Sequence, residues 1–145
     1  MQLLDAIRAE GADLVEVFNT QGAGYLPGLV GLRMLSAAPT RLCSQLDIRQ
    51  DLMAPNDYLH AATVIALADT TCGYGTLLNL PGQARGFTTI ELKSNFVGTA
   101  RTGSLHCEAI PQHRGRTTQV WDARVYHQQS ERAIALFRCT QLILQ

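Results

Sequence analysis

Between Tyr58 and Ala84 a single residue carries a full charge at neutral pH, and that residue is Asp69. It sits in HAATVIALADTTCGYGTLLNL, an otherwise apolar run that begins at His60 and holds no lysine, arginine or glutamate. A carboxylate among apolar groups with no cation nearby is costly to ionise, and burial raises its pKa. That setting suits a general base or a nucleophile better than a spectator. The structural alternative is a buried aspartate bonded to hydroxyls such as Thr70 or to backbone N–H groups. His60, nine residues earlier, orients a loop or a water as readily as it does chemistry. Asn56 and Asp57 read most simply as turn and capping residues.

The element that positions Asp69 is a helix. The run from Leu59 to Leu80 is nearly long enough to span a bilayer. An aspartate at its centre costs about 3 kcal/mol on insertion, however, and Thr, Gly and Asn interrupt it. The reading is a buried helix over about residues 59–80. Val64, Ile65, Ala66, Leu67 and Ala68 are consecutive, and a helix apolar almost all round must be covered on every side. One sheet covers one side, so a second copy of the chain is the expected cover for the rest.

Around that helix the chain reads mostly as strands. The N-terminal segment has apolar residues at Leu3, Leu4, Ile7, Leu14, Val15 and Phe18, the spacing of an amphipathic helix over 1–20 weakened at Gly11. It lacks the basic and apolar regions of a secretory signal. QGAGYLPGLVG is a connection that winds over the surface or begins a strand. RLCSQLDIRQDL alternates, with Leu42, Ser44, Leu46 and Ile48 on one face. After the loop NLPGQARG come FTTIELKSNFVG, GSLHCEAIPQHRGRTTQVWDARVYH and ERAIALFRCTQLIL, the middle one long enough for two strands joined at HRGR. About five strands in hairpin order with one early helix predict an α+β fold: an antiparallel sheet wrapped around a central helix, in one domain spanning 1–145.

Twelve basic and twelve acidic residues cancel; with no run of like charge, neither nucleic acid nor a membrane surface is the expected partner. Cys43, Cys72, Cys107 and Cys139 are scattered and form no C-x-x-C pair. They read as reduced core thiols of a cytoplasmic protein.

LHAATVIALADT, then TTIELKSNF, then HRGRTTQV resembles the hotdog-fold acyl-CoA thioesterases of the phenylacetate-pathway (PaaI-like) type, over roughly residues 28–144. That family carries a His-Gly-Gly at the start of its central helix, an acid nine positions after the His, a Thr-x-Glu-Leu-type strand and a Gly-Arg hairpin. The resemblance implies a hotdog fold, a homodimer or dimer of dimers, and hydrolysis of acyl-CoA without metal or organic cofactor. By position, Asp69 falls on the catalytic carboxylate, His60 on the motif His and Ala61 on the glycine whose N–H polarises the thioester carbonyl. The chain departs from the pattern in reading His-Ala-Ala, which keeps that backbone donor but narrows the approach. Ala54 stands where the family often has Asn or Gln, and Gly73 where some members have Ser or Thr; Asn56 is the nearby candidate for the former. The resemblance puts coenzyme A near Thr89, Asn95, Phe96 and the segment His113, Arg114, Gly115, Arg116 and Thr117, where two guanidinium forks and backbone N–H groups face a phosphate. The ordinary reading of that hairpin is a solvated turn.

Ala61 and Asp69, eight residues apart, lie about 80° around and about 12 Å along one helix. One carbonyl cannot touch both. Two helices packed antiparallel across a two-fold would bring the start of one to the middle of the other, giving two shared sites per dimer. Asp69 would then activate a water or attack directly. The alternative reading is a non-catalytic acyl-CoA-binding hotdog module, and an acyl-thioester dehydratase or hydratase ranks third. Trp121, Tyr126 and Phe137 read as core or interface.

Overall fold

In the computed structural model, which describes residues 2–145, the apolar run folds as an 18-residue helix, Ala61–Leu78. In chain order the elements are α1 (Gln2–Arg8), α2 (Leu14–Gly22), α3 (Leu26–Val30), β1 (Arg33–Ala38), β2 (Arg41–Asp47), α4 (Ala61–Leu78), β3 (Gly86–Phe96), β4 (Ser104–Arg114), β5 (Thr118–His127) and β6 (Ala133–Leu144). The six strands form one sheet in the order β1-β2-β4-β5-β6-β3, every neighbouring pair antiparallel. The sheet packs around α4, the architecture that the resemblance implies.

Three expectations need correction. The N-terminal helix over 1–20 is two helices: Gly11 takes a left-handed φ of 72° and Asp13 restarts the helix by accepting the Glu16 N–H at 3.2 Å. The central helix begins at Ala61 rather than Leu59, because His60 stays extended (φ −69°, ψ 133°) as its cap. The sheet has six strands, not five. QGAGYLPGLVG holds the short α3, closed by Gly31 at φ 77°, and β1 follows it.

The inward faces of the strands carry the core. Leu42, Ser44 and Leu46 of β2 are fully buried, as the alternation predicts, with Leu105, Cys107 and Ala109 of β4, Trp121 and Val125 of β5, and Cys139 of β6. Trp121 and Phe137 are core; Tyr126, on the outer face, lies under the Arg124 guanidinium. Gly75 sets how closely helix and sheet approach: an added Cβ would stand 2.4 Å from the Trp121 ring. All four cysteines are free, and Cys72, Cys107 and Cys139 are buried.

Its own chain covers α4 on one side only. Thr63, Val64, Leu67, Ala68, Thr71 and Cys72 are buried, whereas Ala61 and Ala62 are exposed and Ile65, Ala66, Asp69 and Thr70 are half-exposed. The uncovered residues fall at helical spacing, so they form one apolar stripe with Asp69 on it. Beside it β3 is an edge strand, with Ile90, Leu92 and Phe96 exposed. Among the described residues no helix is long and apolar enough to cross a membrane.

Candidate active site

The start of α4 is built by His60. Its Nδ1 accepts the Ala62 N–H at 2.9 Å, and its carbonyl accepts the Thr63 N–H at 3.0 Å. Among the described residues no group accepts from the Ala61 N–H, which leaves a free donor at the positive end of an 18-residue helix. The Ala61 side chain is exposed. A methyl there leaves the backbone donor intact.

Two turns on, the half-buried Asp69 accepts a hydrogen bond from the Thr89 hydroxyl at 3.1 Å. Burial raises the carboxyl pKa above its ordinary 3.8, and the Thr89 bond opposes the rise. No cation pairs with Asp69 among the described residues. Asp69 also lines a cavity of about 420 Å³ whose walls include Leu3, Gly73, Tyr74, Leu77 and Phe87. Gly73 makes room for that wall, since a Cβ there would lie 2.9 Å from the Phe87 ring. The result is a partly desolvated carboxylate beside an open, mostly apolar groove, a setting for a base or nucleophile acting on a substrate with an apolar group.

Of the remaining sequence-predicted residues, Thr89 alone joins Asp69. Asn56 lies exposed in the loop before α4, where its side-chain Oδ1 accepts the Tyr58 N–H at 3.3 Å, as a turn residue does. Asn95 and Phe96 lie exposed at the far end of β3, about 20 Å along the strand from Thr89. The hairpin of His113, Arg114, Gly115, Arg116 and Thr117 lies at the other end of α4: Arg114 donates to the Asn79 side chain at 3.2 Å, and Gly115 N–H bonds the Thr118 carbonyl at 2.9 Å. Asn79 is ten residues past Asp69, about 15 Å along the axis. Sequence reasoning missed Gln141, which meets the Thr89 hydroxyl at 2.8 Å and is fully buried. Its signal was present: in β6 the inward positions run Phe137, Cys139, Gln141, Ile143, one amide in an apolar row.

Comparison with known proteins settles the family. The thioesterase superfamily matches residues 56–134, a span that starts in the loop before α4 and reaches into β6. The chain belongs to this superfamily. This thioesterase is 24% identical over 130 residues to the 1,4-dihydroxy-2-naphthoyl-CoA hydrolase of Escherichia coli, covering 90% of this chain and 94% of that one. It is 23% identical over 111 residues to the protein of the same name from Listeria monocytogenes, covering 77% and 89%. In fold it matches a crystal structure of a mutant thioesterase from Pseudomonas aeruginosa with a TM-score of 0.86 at 22% identity, over 94% of this chain and 96% of that one. The thioesterase is a thioester hydrolase with a hotdog fold. Among its described residues no three His, Cys, Asp or Glu side chains converge as a metal site would require.

Proposed function

We propose that this thioesterase hydrolyses acyl-CoA thioesters, with Asp69 as the reacting carboxylate and the Ala61 N–H of a second copy polarising the thioester carbonyl. The observation that carries the reading is Asp69 itself: a carboxylate with no cation paired to it among the described residues, half-buried on the uncovered stripe of α4, bonded to Thr89 and beside an open apolar groove. That groove suits the acyl group. Two relatives named for hydrolysis of a naphthoyl-CoA favour an aromatic one, and Phe87 and Tyr74 are among the residues that line the groove.

A thioester needs a polarised carbonyl, a nucleophile and little help for its thiolate. The free N–H at the start of α4 stabilises the oxyanion that forms as the carbonyl is attacked, and loss of one such donor costs about 3 kcal/mol of barrier. Asp69 takes a proton from an attacking water, or attacks the carbonyl itself to give an anhydride that water then opens. Coenzyme A leaves as the thiolate. Because Ala61 and Asp69 of one helix are about 12 Å apart, the pair that meets one carbonyl comes from two chains. The uncovered stripe of α4 and the open edge of β3 support a homodimer, with its helices antiparallel. The hairpin at Arg114 and Arg116 is the candidate for the phosphates of coenzyme A.

Free-thiol release from aromatic, short-chain and medium-chain acyl-CoAs, run on the wild type and Asp69→Asn in parallel, tests the reading. Turnover that falls about a hundredfold or more in the variant is the expected result. Wild-type turnover that the variant retains would remove Asp69 from the mechanism.

A further inference from the structure

The Thr89 hydroxyl stands between two oxygens, 3.1 Å from Asp69 Oδ1 and 2.8 Å from Gln141 Oε1. A hydroxyl has one proton and donates to one of them at a time. Gln141 is fully buried, so water does not share the load, and its Nε2 is 3.2 Å from the Cys139 sulfur. The backbone holds the group in register: Thr89 is paired with Gln141 across β3 and β6, and the strand bulges immediately afterwards, at Ile90. A bulge re-aims the side chains beside it, and Thr89 is the half-buried residue there while Ile90 and Glu91 face solvent.

Two proton arrangements satisfy every member. With Asp69 protonated, its O–H donates to Thr89, Thr89 donates to Gln141 Oε1, and the Gln141 amide N–H points at the Cys139 sulfur. With Asp69 ionised, Thr89 donates to the carboxylate, and the Gln141 amide is turned over so that its N–H donates to Thr89 and its oxygen accepts the Cys139 S–H. The amide orientation is fixed by the network, since oxygen and nitrogen are assigned from their partners. We propose that Thr89 and Gln141 are positioning residues for the reacting carboxylate, a relay anchored on the buried Gln141 whose proton order follows the charge on Asp69. The inference rests on the reading of Asp69 as the group that reacts.

Among the described residues, few other titratable groups bear on the carboxylate. On α4 itself these are Cys72, a thiol that burial keeps neutral, and Tyr74 on the cavity wall, whose phenol burial also raises. From β6 there is Cys139, behind Gln141; β3 presents the uncharged Thr89, and α1 presents Leu3. The start of α4 from a second copy would add His60.

The test is a titration of the Asp69 carboxyl by ¹³C NMR in the full-length protein, for the wild type, Thr89→Val, Thr89→Ser and Gln141→Met, with turnover against pH on the same samples. Thr89→Val removes a donor that favours the charged form, so the Asp69 midpoint should move to higher pH. The kcat plateau should fall about tenfold with KM unchanged, as misplacement of a catalytic group predicts. Thr89→Ser should restore both. Gln141→Met takes away the partner that holds the Thr89 hydroxyl in both proton arrangements, so it should lower the kcat plateau in the same way, and it keeps the test open if Thr89→Val folds poorly. A folded Thr89→Val protein with an unmoved midpoint, or a serine variant that restores nothing, would overturn the relay. A shifted midpoint in a protein that turns over no acyl-CoA would leave the relay standing and remove the acyl-CoA reading instead.

Discussion

His60 Nδ1 accepts the backbone N–H of Ala62 at 2.9 Å, and in doing so it leaves the N–H of Ala61 as the unclaimed donor at the start of α4. The imidazole is thereby a helix cap, with its acceptor nitrogen turned to the backbone. Loss of a cap costs about 1 kcal/mol, or roughly 3 °C in Tm for a chain of this size. His60→Ala should lose that much in thermal unfolding. His60→Asn, whose side chain caps equally well, should recover both the Tm and the turnover. Recovery of Tm without turnover would show that the imidazole does more than cap.

Asp69 should cost the fold something. Its pKa is raised in the folded protein, first by burial, above the ordinary 3.8. Its contribution to stability is therefore fully present below the unfolded value and is lost as pH rises through the folded one. At neutral pH the ionised group opposes folding. Asp69→Asn keeps an oxygen for Thr89 and removes the charge, so its Tm should match or exceed that of the wild type at pH 7. That advantage should shrink as pH falls toward 4. An unfolding series at several pH values checks this, and a less stable variant at pH 7 would make the carboxylate a structural anchor.

Two glycines of α4 respond differently to a methyl, and of the two Gly73 lines the groove beside Asp69. At Gly75 an added Cβ meets the rigid, fully buried Trp121 at 2.4 Å and Leu42 at 2.9 Å. Gly75→Ala should lose roughly 1–3 kcal/mol to overpacking even after the gain of about 1 kcal/mol from better helix propensity. At Gly73 the obstacle is the outer end of the half-exposed Phe87 ring at 2.9 Å, which can swing aside. Gly73→Ala should unfold within about 1 kcal/mol of the wild type, while the displaced ring raises KM for bulky acyl groups more than for small ones. Denaturant unfolding together with KM across an acyl series separates the two effects.

The sequence shows the parts of this molecule whose signals are local. Asp69 stands out because nothing charged surrounds it, and β2 because Leu42, Ser44 and Leu46 alternate inward. β1 did not show, since Met34 is its one fully buried position and a register shift between Met34 and Ser36 breaks the alternation. What secures that edge is remote: the Asn19 side chain accepts the Met34 N–H at 2.7 Å and donates to its carbonyl at 3.1 Å. The pairing of Thr89 with Gln141 was equally out of reach, because it joins residues 52 apart through a strand order that the chain does not follow in sequence. The apolar stripe on α4 is the intermediate case: the sequence says that the helix must be covered, and the sheet shows which side its own chain leaves open.

That open side gives a direct test of the shared site. Ala61 is the first residue of α4, where proline is well tolerated, and His60 already has the extended backbone that precedes a proline. Ala61→Pro should therefore fold normally while removing the one N–H in question, and its turnover should fall about a hundredfold or more. Asp69→Asn should be comparably inactive. If each site takes Ala61 from one chain and Asp69 from the other, mixing the two inactive proteins after unfolding and refolding restores one complete site in every mixed dimer. Half the dimers are mixed and each has one good site of two, so about a quarter of wild-type activity should return. If both groups act within one chain, every site in the mixture lacks one of them. The mixture then stays as inactive as its parents.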